Sequence, residues 1–284
     1  MSQSIRTTHS LRSGEARTRI ELVSGQSTVT SAASASPLRL LTPRARGAAV
    51  WAYLSNYGGG MLAGDETSLE LHLARGARCF LGTQASTKIY RNPQARRCSH
   101  SSSITLEADS LLVLAPDPVQ AFAGSQFSQR QVVLLDPTAS LVLLDWCSAG
   151  RIARGERWSF SRYQSHTELF RVGAGAPERF FLDALLLDPA DGPLASPARI
   201  GRFNCLANLV VIGPTLGDLA KQILDEITTR PLSRGARLVC AASPVADGVL
   251  LRLASESIEE AGREIRRHLR PIIGLIGGDP WARK

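Results

Sequence analysis

The sequence predicts a mainly β protein: layered antiparallel sheets built from consecutive hairpins, with two α-helices in the C-terminal third. Three observations predict it. From Arg17 to about Gly213 apolar and polar residues alternate with period two, the mark of half-buried strands. Turn signals punctuate that stretch roughly every 30 residues, and connections this short join antiparallel neighbours, since a parallel crossover needs a longer link. After Gly213 the apolar period changes to that of amphipathic helices.

Residues 1–15 read as a flexible tail and 16–284 as one β-rich domain. "RTRIELVSGQSTVTSA" turns at Gly25-Gln26, and "PLRLLTPRARGAAVWAYLSNY" adds two strands. In "SLELHLARGARCFL", Leu69, Leu71 and Leu73 share one face, Ser68, Glu70 and His72 share the other, and Arg75-Gly76 supplies the turn. Similar strand-turn-strand units follow, turning at Ala108-Asp109, at Asp136-Pro137 and between Gly173 and Pro177. Helices are expected near 215–230 and 257–270. In the first, Leu216, Leu219, Ile223 and Ile227 line one face, Thr215 is positioned to cap, and Pro231 stops the helix. Strands flank Asp247-Gly248, and Ser257 with Glu260 forms a capping box for a helix that turns Ile258, Ala261, Ile265 and Leu269 inward. Its Arg263, Arg266, Arg267 and Arg270 read as a solvated face.

Composition narrows the function classes. The chain has 284 residues, 44% of them hydrophobic and 20% charged, enough for a sizeable core. Its net charge of +8 comes almost wholly from scattered arginines, which argues against the clustered patch of a nucleic-acid binder. No apolar run approaches a membrane span and no signal peptide is evident, so a cytoplasmic location is expected. Five cysteines, none in Cys-x-x-Cys spacing, argue against a disulfide framework or a structural zinc site. Cys98 and His100, in what reads as a serine-rich loop, are taken as structural or incidental.

The stretch "NYGGGMLAGDE", 56–66, nearly matches two phosphate-binding templates: Gly58-x-Gly60-x-x-Ala63 and the spacing of Gly59 and Gly64. Both templates need a helix straight after the glycines, to turn its N-terminal amides on the phosphate. Here an alternating strand follows, and Asp65 stands where the second template has lysine. Nucleotide binding is therefore set aside in favour of a tight connection between strands. No Gly-x-Ser-x-Gly elbow or His-x-x-x-His zinc pattern occurs, so no catalytic residue is assigned. An uncharacterised hydrolase or transferase on a β scaffold stays open as the alternative function.

Read together, three stretches resemble the urease accessory protein UreD family, also called UreH. "GGGMLAGDETSLELHLARGARCFLGTQASTKIYR", 58–91, resembles that family's Gly-Gly-x-x-x-Gly-Asp loop and Thr-Gln-x-x-Thr-Lys-x-Tyr-Arg segment, here Thr83, Gln84, Thr87, Lys88, Tyr90 and Arg91. "GRIARGERWSF", 150–160, is similar to a Gly-Arg-x-x-x-Gly-Glu stretch and puts Glu156 in the acidic position; the end of the chain, "GVLLRLASESIEEAGREIRRHLRP", is a weaker match. Two departures stand out: Asp117-Pro118 only approximates a Leu-Pro-type run, and Asp145-Trp146 lies where members often have a glutamate nearby.

The resemblance implies a maturation factor, not an enzyme. Such proteins work with the accessory protein UreF and the GTPase UreG, dock on urease apoprotein as a hetero-oligomeric complex, and help deliver nickel through an internal passage, with no tightly bound cofactor. On that basis Asp65 and Glu156 are expected along a transient nickel(II) path, lined by the neutral Thr83 and Gln84, since transfer needs sites weak enough to release the ion. His166 and Glu168, two apart on one strand, are weaker candidates. The alternative for Asp65 is a cap on its own glycine turn, and for Glu156 a pair with Arg151 or Arg154.

Overall fold

The computed structural model describes residues 11–44 and 47–282. The expected tail at residues 1–15 falls largely outside them, and Glu15 already begins the first strand, Glu15–Val23.

Strand is the dominant secondary structure of the described residues, arranged as two facing sheets. The first has seven strands, in the order Glu178–Leu187, Arg162–Arg171, Gln126–Leu135, Cys98–Leu106, Glu66–Leu73, Glu15–Val23, Gln26–Ser34. The second runs Leu238–Val245, Gly248–Ser255, Cys205–Ile212, Ser140–Ser148, Leu111–Leu114, Arg78–Thr83, Val50–Asn56, Leu38–Leu41, and three short strands, Gly60–Met61, Thr87–Ile89 and Val119–Ala121, extend it.

Pairing within the sheets is mixed, where hairpins throughout had been expected. The units turning at Gly25-Gln26, at 173–177 and at Asp247-Gly248 are hairpins. The turns at Arg75-Gly76, Ala108-Asp109 and Asp136-Pro137 are instead corners that carry the chain from the first sheet to the second. The chain therefore winds as a flattened coil, and strands one coil apart lie side by side in parallel, as Glu66–Leu73, Cys98–Leu106, Gln126–Leu135 and Arg162–Arg171 do. Burial explains the division. First-sheet strands have one face in solvent and alternate, whereas Leu111–Leu114 and most of Ser140–Ser148 are buried on both faces, between the first sheet and the helices.

Two helices, α1 (Gly217–Thr229) and α2 (Ile258–Leu269), cover the outer face of the second sheet. Leu219, Ile223, Ile227, Ile265 and Leu269 pack there against Val142, Leu209 and Leu251. Ser257 caps α2 by accepting the Glu260 N–H at 3.3 Å. Thr215 does not cap α1: a single turn, Pro214–Leu216, precedes that helix, and the Thr215 backbone N–H is held by Ser140 Oγ at 3.0 Å.

The space between the sheets is layered along the strand direction. One end is an apolar core including Leu71, Leu73, Ile104, Leu106, Val133 and Leu143. The other end is a second apolar core built on Cys98, Phe127, Cys147, Trp158, Phe160 and Tyr163. Between them lies a polar belt.

Candidate functional site

The belt comes from register. On the first sheet, Thr67, His100, Gln129 and Ser165 are direct cross-strand neighbours on four successive parallel strands, and Ser102, Gln131 and Thr167 form the next row. Each strand thus turns polar residues inward near its start and apolar ones two or four positions on, as in Gln129, Gln131, Val133, Leu135. On the second sheet, Asp145, Asn208 and Arg252 are register neighbours in turn. A polar row is therefore built across the strands, on both walls.

A cavity of about 170 Å³ occupies the belt, lined by Thr67, His100, Ser102, Gln129, Gln131 and Asp145 among others, and reaching Asn56, Thr83, Gln84 and Asp117 at one end. A second cavity, about 560 Å³, shares Asp145 and Trp146 with it and continues to Asp183, Asn208, Arg252 and Leu232. Asp145 thus stands where the two cavities meet.

Asp145 is held by Ser165 Oγ and by Gln129 Nε2, the latter at 3.1 Å. Burial pushes its carboxyl up, while those two hydrogen bonds act in the other direction and the nearby Asp183 adds to the rise. Asp183 accepts from Asn208 Nδ2 at 2.8 Å and from Arg252 at 2.9 Å. His100 is enclosed by cavity and protein, and loss of water lowers it to about 4, leaving a neutral imidazole at physiological pH.

The residues expected from sequence divide between this belt and other places. Thr83 and Gln84 line the first cavity, Thr83 Oγ1 accepting the Asp117 N–H at 2.7 Å and Gln84 Oε1 accepting from Ser55 Oγ at 2.8 Å. Asp65 caps its own turn: its Oδ2 accepts the Leu62 N–H at 2.7 Å, and it shapes the loop whose Gly59 and Met61 reach the cavity wall. Glu156 forms a two-pronged pair with Arg151 and also accepts the Ala123 N–H at 3.1 Å. Arg151 in turn stacks over Phe122 at 4.1 Å. Neither Asp65 nor Glu156 is among the side chains lining the cavities.

His166 and Glu168 do meet, at 3.6 Å, but on the outer face of the first sheet. Glu168 is roofed there by Arg130 at 2.8 Å and Arg179 at 3.2 Å, and those guanidinium groups hold its carboxyl below the usual range. Cys98 and His100 lie in a strand, not in a loop, and both turn inward; the serines between and after them mark the belt and the solvent face.

Among the described residues, Glu226, Glu264 and His268 could also gather round a cation, at the contact of α1 with α2. Arg267 and Arg230 already pair with both carboxylates, Arg230 at 2.6 and 2.7 Å, so the cluster is an ion-pair clasp between helices.

Comparison with known proteins places the sequence in a family. The family described as "UreD urease accessory protein" matches residues 12–280. Urease accessory protein UreD of Sorangium cellulosum is 43% identical over 263 residues, 92% of this chain and 81% of that protein. The Anaeromyxobacter protein of the same name is 41% identical over 96% of this chain and 90% of its own. Urease accessory protein D of Arabidopsis thaliana is 30% identical over 93% of this chain and 98% of its own. The chain belongs to the UreD urease accessory protein family.

Within this UreD-family chain, the glycine loop that resembles a phosphate cradle has a structural task. Gly58 takes φ 76°, and at Gly60 a Cβ would stand 2.5 Å from the Lys88 carbonyl oxygen, so Gly60–Met61 can pair with Thr87–Ile89. Tyr90 closes the arrangement by donating to the Gly58 carbonyl at 2.9 Å and meeting Phe122 edge-on. Sequence reasoning missed His100 and Asp145 as wall residues. The available signal was the repeated inward order, polar then apolar, in four consecutive first-sheet strands.

Proposed function

We propose that the chain is a maturation factor of urease, without turnover of its own, that scaffolds a hetero-oligomeric complex and passes nickel(II) along the belt between its sheets. The partners in this reading are a UreF-type accessory protein, a UreG-type GTPase and urease apoprotein, in the cytoplasm; GTP chemistry is left to the GTPase. Family membership supports the urease role. Among the described residues no helix is long and apolar enough to cross a membrane.

The observation that carries the conduit reading is the polar belt itself, two cavities meeting at Asp145 between two apolar cores. Its physical logic is exchange. Nickel(II) binds carboxylate, imidazole, amide and water in turn, and a wall of single carboxylates among neutral groups holds it weakly enough to let it go. Nickel here is cargo. Thr83, Gln84 and Asp117 serve one end of the path, Asp145 its middle and Asp183 the far end. Asp65 and Glu156 act from outside the cavities by fixing the loops around them.

The test is co-expression with the urease partners, followed by pull-down, nickel analysis and urease assay. Asp145→Asn keeps the shape of the wall and removes its charge; activation should fall while complex assembly is kept. Full activation with Asp145→Asn, or failure to recruit the UreF-type partner, counts against the reading.

A further inference from the structure

We propose that His100 is a nickel(II) ligand inside the belt, binding through Nε2 and giving the passage a preference for a borderline transition metal over magnesium or calcium. The proposal rests on the reading of the belt as a metal path, and it adds a nitrogen donor to a wall otherwise described by its oxygens.

The proposal assigns the Nδ1–H tautomer, which the hydrogen bonds accommodate. Thr67 Oγ1 lies 3.3 Å from the Ser99 carbonyl oxygen, an acceptor for the Thr67 hydroxyl proton. The same Oγ1 is 2.9 Å from His100 Nδ1, and with its own proton on Ser99 it accepts from that nitrogen. Nδ1 then carries the ring proton, and Nε2 is the bare nitrogen, facing Ser102 Oγ at 3.1 Å. Ser102 lines the cavity and its hydroxyl is a rotor, so it can turn aside when an ion arrives. A ring N–H anchored to a fixed acceptor with the opposite nitrogen free is the arrangement in which metal-binding histidines are oriented.

Placement agrees. His100 is the direct register neighbour of Gln129, whose amide reaches Asp145, so the imidazole and the cavity-facing carboxyl group flank one side chain. Magnesium and calcium prefer oxygen ligands, whereas imidazole suits nickel, so one nitrogen among oxygens separates the two classes. A single imidazole does so without closing a cage that would trap the ion. Cys98, two residues earlier on the same face, donates its thiol to the Leu62 carbonyl at 2.7 Å and is buried in the apolar core beyond the belt.

The experiment titrates nickel(II) and magnesium(II) separately into the full chain by equilibrium dialysis, with nickel X-ray absorption of the loaded protein. Wild type is expected to show imidazole scattering, and His100→Gln to lose it and to bind nickel about tenfold more weakly or worse, with magnesium binding unchanged. Thr67→Val, which keeps the shape but removes the acceptor of the Nδ1 proton, should retain imidazole scattering and weaken nickel binding by about tenfold, as loss of an orienting partner does. Cys98→Ala should leave both readouts unchanged. Wild-type nickel affinity and spectrum in His100→Gln would overturn the proposal. If His100→Gln does not fold, Thr67→Val decides, and unchanged nickel binding there overturns it equally. The conduit reading fails separately: in that case nickel binds through His100 but neither His100→Gln nor Asp145→Asn alters urease activation.

Discussion

Gln129→Leu is expected to destabilise the protein by about 2 kcal/mol where Asp145 is ionised and by about 1 kcal/mol where it is protonated. The Gln129 amide donates to Asp145 Oδ1 at 3.1 Å and to Ser165 Oγ at 3.2 Å, and leucine has similar reach but no donor. A hydrogen bond to a charged group contributes about 1.5–3 kcal/mol and a neutral one about 1 kcal/mol. The greater apolar burial of leucine offsets about 1 kcal/mol of that. The pH dependence follows from Asp145, whose carboxyl is raised by burial and held back by Ser165 and Gln129. A group with a raised folded-state pKa favours the fold while protonated, and that contribution is lost as pH rises from the unfolded value, about 3.9, through the folded one. Removing Gln129 raises the folded value further, so the deficit of the variant opens as pH rises from the wild-type folded value to the variant's higher one and is full above it. Urea unfolding across the window, in the Asp145 and Asp145→Asn backgrounds, measures it; with a neutral partner at 145 the deficit should shrink to about 1 kcal/mol. A deficit equal in both backgrounds and flat with pH would refute the reasoning, because Gln129 would then be packing against the wall, not solvating a buried carboxylate.

Other expectations follow from single contacts. Gly58→Ala, at φ 76° with open space around it, should cost about 1–2 kcal/mol for the left-handed backbone alone. Gly60→Ala, extended but with its Cβ 2.5 Å from the Lys88 carbonyl oxygen, should cost about 3 kcal/mol and loosen the pairing of Gly60–Met61, measured by thermal unfolding and by amide exchange at Ile89. Ser257→Ala removes the α2 cap and should cost about 1 kcal/mol by urea unfolding. Asp65→Ala and Glu156→Ala should lower urease activation in co-expression while the partners still co-purify. Arg151 holds the Glu156 carboxyl below its usual range, so the stability it contributes is present above the unfolded glutamate value and fades as pH falls through the folded one. Unfolding of Glu156→Ala that parallels wild type into acid would contradict that contact.

Local periodicity made much of this fold legible. The strand Glu66–Leu73 after the glycine loop, the inward faces of both helices and the Ser257 cap follow from neighbours within a turn or a strand, because alternation and helical repeat are short-range properties of the chain. So was the strand, in place of a helix, after Gly64. The motif at 58–91 likewise led to the family, and two of its residues, Thr83 and Gln84, do reach the cavity.

Which strands pair was decided only in three dimensions. A short turn fits a hairpin as well as a corner, and the choice depends on burial of the next strand: Leu111–Leu114 is apolar on both faces and needs cover on both, so it passes under the first sheet instead of folding back beside its predecessor. The roughly 30-residue spacing of turns was visible in the sequence, but that it is the pitch of a coil was not. Once the coil closes, Thr67, His100, Gln129 and Ser165, far apart in sequence, become neighbours in one row and make a polar band that no single strand contains. Asp65 and Glu156, distinctive in the sequence, found partners within a few residues and were satisfied locally. His100 and Asp145, inconspicuous in the sequence, acquired their surroundings from strands on other coils. Periodicity determined which face each residue presents, and long-range register determined what that face meets.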